Sequence, residues 1–195
     1  MKKLIIILLL LIFVGSIRSF GVENQVQSEI DFSKKAIRDG FYDLAEDKLN
    51  ALLVAGIPKE LGGEVHLLLG RVYYEKSLPG KALTEFNFVL DQFKNTELAA
   101  QAAYWIAEVY FKQADHDQAL GYYELVSESY ASSKYVPYAR YSQAWCYERM
   151  GEYGTAVDAF RDVAEAYPQS ELAIKARYKT NTKYTNHKRN YTIIY

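Results

Sequence analysis

Residues 102–111, AAYWIAEVYF, slid along the chain by 37 positions land on ARYSQAWCYE at 139–148, and slid back by 37 they land on VHLLLGRVYY at 65–74. The correspondence is positional. Gly70, Ala107 and Ala144 form a small-residue column, with Tyr73, Tyr110 and Tyr147 three residues later. A second small column holds Ala45, Ala82, Ala119 and Ala156, each followed four residues on by Leu49, Phe86, Tyr123 or Phe160. A chain patterned this way repeats one supersecondary unit, and its neighbouring units bury one another's apolar faces.

Each unit reads as two amphipathic helices. Ala103, Ile106, Val109 and Tyr110 recur at spacings of three and four, then Gln113-Ala114-Asp115-His116 interrupts before a second stripe of Ala119, Tyr122, Tyr123 and Val126. Equivalent breaks fall at Asp39-Gly40, Leu78-Pro79-Gly80 and Met150-Gly151-Glu152. Gly or Ala on the first helix facing Ala on the second lets two backbones approach closely, while large residues a turn away fill the remaining space. The junctions FKNTELA (93–99), YASSKYV (130–136) and YPQSELA (167–173) each put an aromatic residue three positions before Thr96, Ser133 or Ser170, which are expected to cap the next helix. Glu97 and Glu171 follow where a helix dipole favours negative charge.

These columns resemble the tetratricopeptide repeat: Leu69, Gly70, Tyr73, Ala82 and Phe86 match its Leu-Gly-x2-Tyr and Ala-x3-Phe, and Ala144, Tyr147, Ala156, Phe160 and Pro168 follow closely. The family's early Trp is replaced by Glu29, His66, Ala103 and Arg140, and the period is 37 rather than about 34. Longer units with aromatic-x-x-Ser junctions resemble exported envelope proteins of bacteria, of the Tol-Pal accessory and BamD-like types. The resemblance implies an all-α fold, an alpha-alpha superhelix (solenoid) of about four helical hairpins plus the start of a fifth. Its units fall at about 26–62, 63–99, 100–136 and 137–173, with a partial fifth from 174, inside a repeat region of 22–180. The resemblance also implies a concave face lined by the first helix of each unit. Its columns are Ile30, Leu67, Tyr104, Tyr141; Lys34, Arg71, Glu108, Trp145; and Ile37, Tyr74, Phe111, Glu148. The expected partner-binding groove is Leu67, Arg71, Tyr74, Tyr104, Glu108, Phe111, Tyr141, Trp145 and Glu148. Tyrosine and tryptophan suit such a face, offering large rigid area at small entropic cost.

Charge and motif content narrow the chemistry. Lys plus Arg is 23 against 24 Asp plus Glu, which lacks the basic surplus that nucleic-acid binding uses to displace counterions. The balance is uneven along the chain: Val22 to Glu171 holds 14 basic and 24 acidic residues, and from Leu172 onward there are six basic and none acidic. His66, His116 and His187 stand apart, and no His-Glu-x-x-His, paired cysteine, phosphate loop or nucleophile elbow is present. Asp115-His116-Asp117 lies in an interhelical turn, where an Asp cap is expected rather than a metal ligand. Cys146, the single cysteine, is expected to be a small buried hydrophobe. The expectation is a protein that is not an enzyme and takes no metal or other cofactor.

The two ends carry separate instructions. Lys2 and Lys3 precede the apolar run Leu4 to Val14, and Ser19 and Gly21 supply small residues for cleavage, so residues 1–21 read as a signal peptide cut after Gly21. Eleven apolar residues fall short of the roughly 20 that span a bilayer, and no lipobox cysteine lies nearby. A periplasmic protein-interaction scaffold is expected, partnered by an envelope protein or peptide segment. A component of outer-membrane protein assembly, peripheral to that membrane, is the alternative, and a truncated N-terminal part of a larger repeat protein carrying another domain, such as the non-catalytic part of a cell-wall enzyme, is another; homo-oligomerisation stays open. At the far end the small-residue column meets Asn181, and 181–195 reads as a basic polar tail.

Overall fold

A computed structural model describes residues 24–191, and the signal-peptide expectation at 1–21 lies outside them. Every element among the described residues is a helix: α1 over 24–38, α2 Tyr42–Ala55, α3 Lys59–Glu75, α4 Pro79–Gln92, α5 Glu97–Lys112, α6 His116–Ser129, α7 Val136–Arg149, α8 Tyr153–Ala166 and α9 Glu171–Tyr191. The chain divides into two compact units, one up to Leu78 and one from Pro79, inside the 63–99 register block.

The turn that follows α1, α3, α5 and α7 is the same turn four times. Gly40 (φ 84°), Ser77 (φ 57°), Ala114 (φ 62°) and Gly151 (φ 84°) occupy the left-handed region at successive intervals of 37. At each, the left-handed residue donates its N–H to the carbonyl three back, Gly40 to Ile37, Ser77 to Tyr74, Ala114 to Phe111 and Gly151 to Glu148. The next residue donates to the carbonyl five back, Phe41 to Ala36, Leu78 to Tyr73, Asp115 to Tyr110 and Glu152 to Tyr147, at 2.8–3.0 Å. This paired ending satisfies carbonyls that a helix C-terminus otherwise leaves orphaned.

The junctions are hydroxyl staples. Thr96 Oγ1 donates to the Phe93 carbonyl at the end of one helix and accepts the Ala99 N–H at 3.3 Å in the next. Ser170 repeats this with Tyr167 and Ala173 at 2.9 and 3.2 Å. Ser133 departs from the expected cap: it accepts the Tyr135 N–H at 3.1 Å, and α7 begins only at Val136. Pro137 explains the difference. At the equivalent place in α5, Ala100 donates to the Thr96 carbonyl, whereas proline has no N–H to return to Ser133, so the first helical turn is lost.

Packing follows the columns. Gly70, Ala107 and Ala144 are buried, as are Ala45, Ala82, Ala119 and Ala156 with their partners Leu49, Phe86, Tyr123 and Phe160. Ser33 occupies the same small column in α1, buried, its hydroxyl donating to the Glu29 carbonyl at 2.8 Å. In the first unit α2 packs on α3, and Lys76 beyond α3 reaches Asp43 and Glu46 on α2 at 2.6 Å each, which raises its pKa above the ordinary lysine range. In the second unit each helix from α4 to α9 packs on the next, and α9 also touches α7. One core joins Ala103, Ala107, Ala119, Tyr123, Val126, Ala139 and Cys146, and another joins Ala144, Phe160, Val163, Ala164 and Ala176. The tail expected from Asn181 is helical instead, since α9 continues to Tyr191. Among the described residues no helix is long and apolar enough to cross a membrane.

Candidate functional site

Of the nine groove residues expected from the sequence, six lie in the second unit, three on α5 and three on α7. Tyr104, Glu108 and Phe111 stand one turn apart along α5, and Tyr141, Trp145 and Glu148 repeat them 37 residues later on α7. All six are partly exposed, while the neighbouring columns Ala103, Ile106, Ala107 and Ala139, Ala144, Cys146 are fully buried. The helical period separates a core stripe from a surface stripe. Arg71 and Tyr74 are likewise partly exposed on α3, in the first unit. Leu67 is a correction: at 2% exposure it is core and has no surface to offer, and Ile30 and Ile37 are buried with it. The physical reason is chemical. An aliphatic residue in this column can only pack, whereas a tyrosine keeps a polar edge for water.

The aromatic members are held by one another. The Tyr104 ring lies 5.3 Å from Tyr135, 5.8 Å from Tyr123 and Trp105 and 6.4 Å from Tyr138, so four rings brace it. Tyr141 sits edge-on to Phe160 at 5.4 Å and to Trp145 at 6.4 Å. Phe111 lies 5.2 Å from the His116 ring at the start of α6. Ring pairs in this distance range are worth about 0.5–1.5 kcal/mol beyond area burial, so the face is rigid before any partner arrives.

The charged members are already engaged. Glu108 accepts the Tyr123 hydroxyl at 2.6 Å and the Ser142 hydroxyl at 3.4 Å, tying α5 to α6 and α7. Burial and then the Glu108 carboxylate push the Tyr123 phenol well above the ordinary tyrosine range. Burial first, and the same carboxylate second, push the Cys146 thiol up to about 12, so it stays protonated and unreactive at neutral pH. On α7, Lys179 from α9 places its ammonium 3.6 Å from the Trp145 ring centroid and 3.6 Å from the Glu148 carboxylate. The Ser142–Glu108 and Lys179–Trp145 contacts are one contact shifted by 37 residues.

Sequence reasoning missed Tyr135, Tyr138 and Lys179 as parts of this face. Tyr135 and Tyr138 sit at a junction and the following first turn, and their spacing of three beside Tyr141 was the available signal. Tyr138 is 49% exposed, the most accessible ring of the Tyr104 cluster. Asp115 performs the expected capping role, accepting the Gln118 N–H at 3.2 Å. Among the described residues no three His, Cys, Asp or Glu side chains gather as metal ligands.

Residues 98–169, which carry all six of these positions, match the tetratricopeptide repeat family. That segment resembles the family, and solved structures share the fold over most of the chain. A putative kinesin light chain from Podosopora anserina with nearly identical repeats superposes at TM-score 0.66 with 14% identity, over 85% of this chain and 89% of its own. A tetratricopeptide repeat protein from Parabacteroides merdae gives 0.63 with 18% identity over 84% and 61%. YrrB, described as a tetratricopeptide repeat protein with an unusual peptide-binding site, gives 0.59 with 18% identity over 78% and 74%. No curated protein sequence matches the chain. At these identities the likeness is one of fold, the tetratricopeptide solenoid.

Proposed function

We propose that this chain is a non-enzymatic scaffold of the bacterial cell envelope, holding a protein or peptide segment against the α5–α7 face. The observation that carries the reading is the braced, partly exposed aromatic set Tyr104, Tyr138, Tyr141 and Trp145 on two adjacent helices, beside columns that are wholly core. Rigid aromatic area flanked by hydrogen-bonding edges is what a bound backbone needs. Tetratricopeptide repeats bind peptide or protein partners as a class, and the peptide-binding site of YrrB supports the same use here. The envelope part rests on Lys2, Lys3, the apolar run Leu4 to Val14 and the small residues before Val22. Tol-Pal accessory and outer-membrane assembly roles share this chemistry and differ in the partner captured.

The test is capture from envelope extract on the immobilised chain, with Tyr138→Ala and Phe111→Ala as controls. Truncating a central aromatic anchor costs about 2 kcal/mol or more, so each variant should retain roughly thirtyfold less of the true partner. Tyr138 is half exposed, so its variant should melt within a few degrees of the parent. Equal capture by the parent and both variants removes this face from the proposal.

A further inference from the structure

A partly exposed column of the repeat changes its chemistry at α5. In α1 and α3 it holds Lys34 and Arg71; in α5 and α7 it holds Glu108 and Trp145, with Phe111 and Glu148 one turn further on. The α5–α7 face thereby trades column cations for two carboxylates set among aromatic rings. Glu108 is held by the hydroxyls of Tyr123 and Ser142, which donate hydrogen bonds but bring no opposite charge. Carboxylates beside ring faces are the two groups that attract a cation.

A cation is already seated there. Lys179, reaching back from α9, puts its ammonium 3.6 Å from the centroid of the Trp145 ring and 3.6 Å from the Glu148 carboxylate. One unit earlier Ser142 makes the equivalent reach toward Glu108 with a neutral group. The ring contact of Lys179 is close and its ionic contact is loose: elsewhere Lys76, Arg161 and Lys175 meet their carboxylates at 2.6–2.8 Å. The Lys179 side chain is 23% exposed and hangs on a flexible stem, so it can swing out into water. At a partly exposed site, contacts of these two kinds each contribute a factor of only about two to five in an equilibrium.

We propose that the α5–α7 face binds its partner segment through an arginine, whose guanidinium takes the Trp145–Glu148 seat that Lys179 holds when no partner is bound. This rests on reading the face as the partner-binding one, and it names the class of segment bound there. Trp145 and Glu148 stand three residues apart on one side of α7, so a single group reaches both. Arginine fits that pair better than the resident lysine. A planar guanidinium stacks on an indole face while its edge forks onto a carboxylate, making at full strength the two contacts that one ammonium divides. Lys179 is thus an internal competitor: a segment without a cation has nothing to exchange for it, and an acidic one meets the like charges of Glu108 and Glu148.

The probe is a labelled peptide of about 12 residues in which arginine alternates with serine and leucine, long enough at about 3.3 Å per residue to cross both helices, titrated by anisotropy against the full chain. Binding should saturate, and Lys179→Met, which keeps the stem and removes the competitor, should tighten it about fivefold. Lys179→Arg should bring no gain. Glu148→Gln in the Lys179→Met background should take the gain back. Lys94→Met, the same change of charge at an exposed junction residue, should leave the affinity at the parent value. Helix α9 stays anchored on α8 through buried Ala173 and Ala176, so the Lys179 variants keep their circular dichroism and melting temperature. Tightening by Lys94→Met as large as that by Lys179→Met, or none by either, overturns the inference, as does equal binding of the peptide with lysine or glutamate in place of arginine. If a glutamate peptide binds and Tyr138→Ala abolishes it, the face remains a partner site and only the arginine seat is lost. If no peptide binds and Tyr138→Ala leaves envelope capture intact, both readings fall.

Discussion

Single residues set the cost of the repeated turn. Gly40 and Gly151 adopt the left-handed conformation without a Cβ penalty, whereas Ser77 and Ala114 hold it against one. A Cβ added at Gly151 meets nothing within 4 Å, so backbone conformation alone decides the effect there. Gly151→Ala should lower stability by about 1 kcal/mol and Ala114→Gly raise it by about 0.5–1 kcal/mol, shifts of roughly 2–4 °C each in a thermal melt. The two glycines were visible in the sequence at matching positions, but the alanine and the serine hid the demand, because neither residue type announces a positive φ. Glu108 hid its role in a similar way. Its column predicts a surface residue, yet the buried Tyr123 hydroxyl depends on it. Glu108→Ala should cost about 1–3 kcal/mol, while Glu108→Gln, which keeps an acceptor, should cost much less in urea denaturation. Cys146 adds a pH dependence. Its thiol releases a proton near 9.0 when unfolded and near 12 when folded, so through that window the unfolded chain holds fewer protons and stability falls as pH rises. Cys146→Ala should flatten the fall by up to about 1.4 kcal/mol per pH unit; an unchanged slope excludes the thiol as its cause.

Helices and their junctions were the most legible scale. The 3.6-residue stripes marked the helices as far as the first turns of α9, whose continuation past Asn181 they did not announce, and the small columns fixed which sides meet, because close backbone approach leaves only Gly, Ala or Ser room at Ser33, Gly70, Ala107 and Ala144. The start of α7 was less legible: the expected Ser133 cap competes with Pro137, and the missing N–H wins. Where the staple does form, it spans two helices. Thr96→Ala and Ser170→Ala should each cost about 1 kcal/mol, and Thr96→Ser should restore most of it in the same melt, since the serine hydroxyl can make both bonds. The candidate face was half legible. Register found Tyr104, Tyr141 and Trp145, but not that they brace one another through Tyr123 and Phe160, nor that Lys179 covers Trp145, because those contacts join different helices.

At the scale of the whole molecule, charge is the organising feature: an acidic body and a basic α9, with the apolar run Leu4 to Val14 ahead of both. If that run is an export signal, N-terminal sequencing of the protein from an envelope fraction should begin at Val22; an intact Met1 on cytosolic protein would remove the envelope assignment. The four turns in step also govern how such a gene can change. One residue inserted within a helix rotates everything after it by about 100° and carries the small column off the interface, whereas a duplicated block of 37 restores every contact at once. Recombination between adjacent units is therefore the permitted route to a longer or shorter protein. Sister genes should differ in length by whole blocks, with odd-sized changes confined to the ends and the turns.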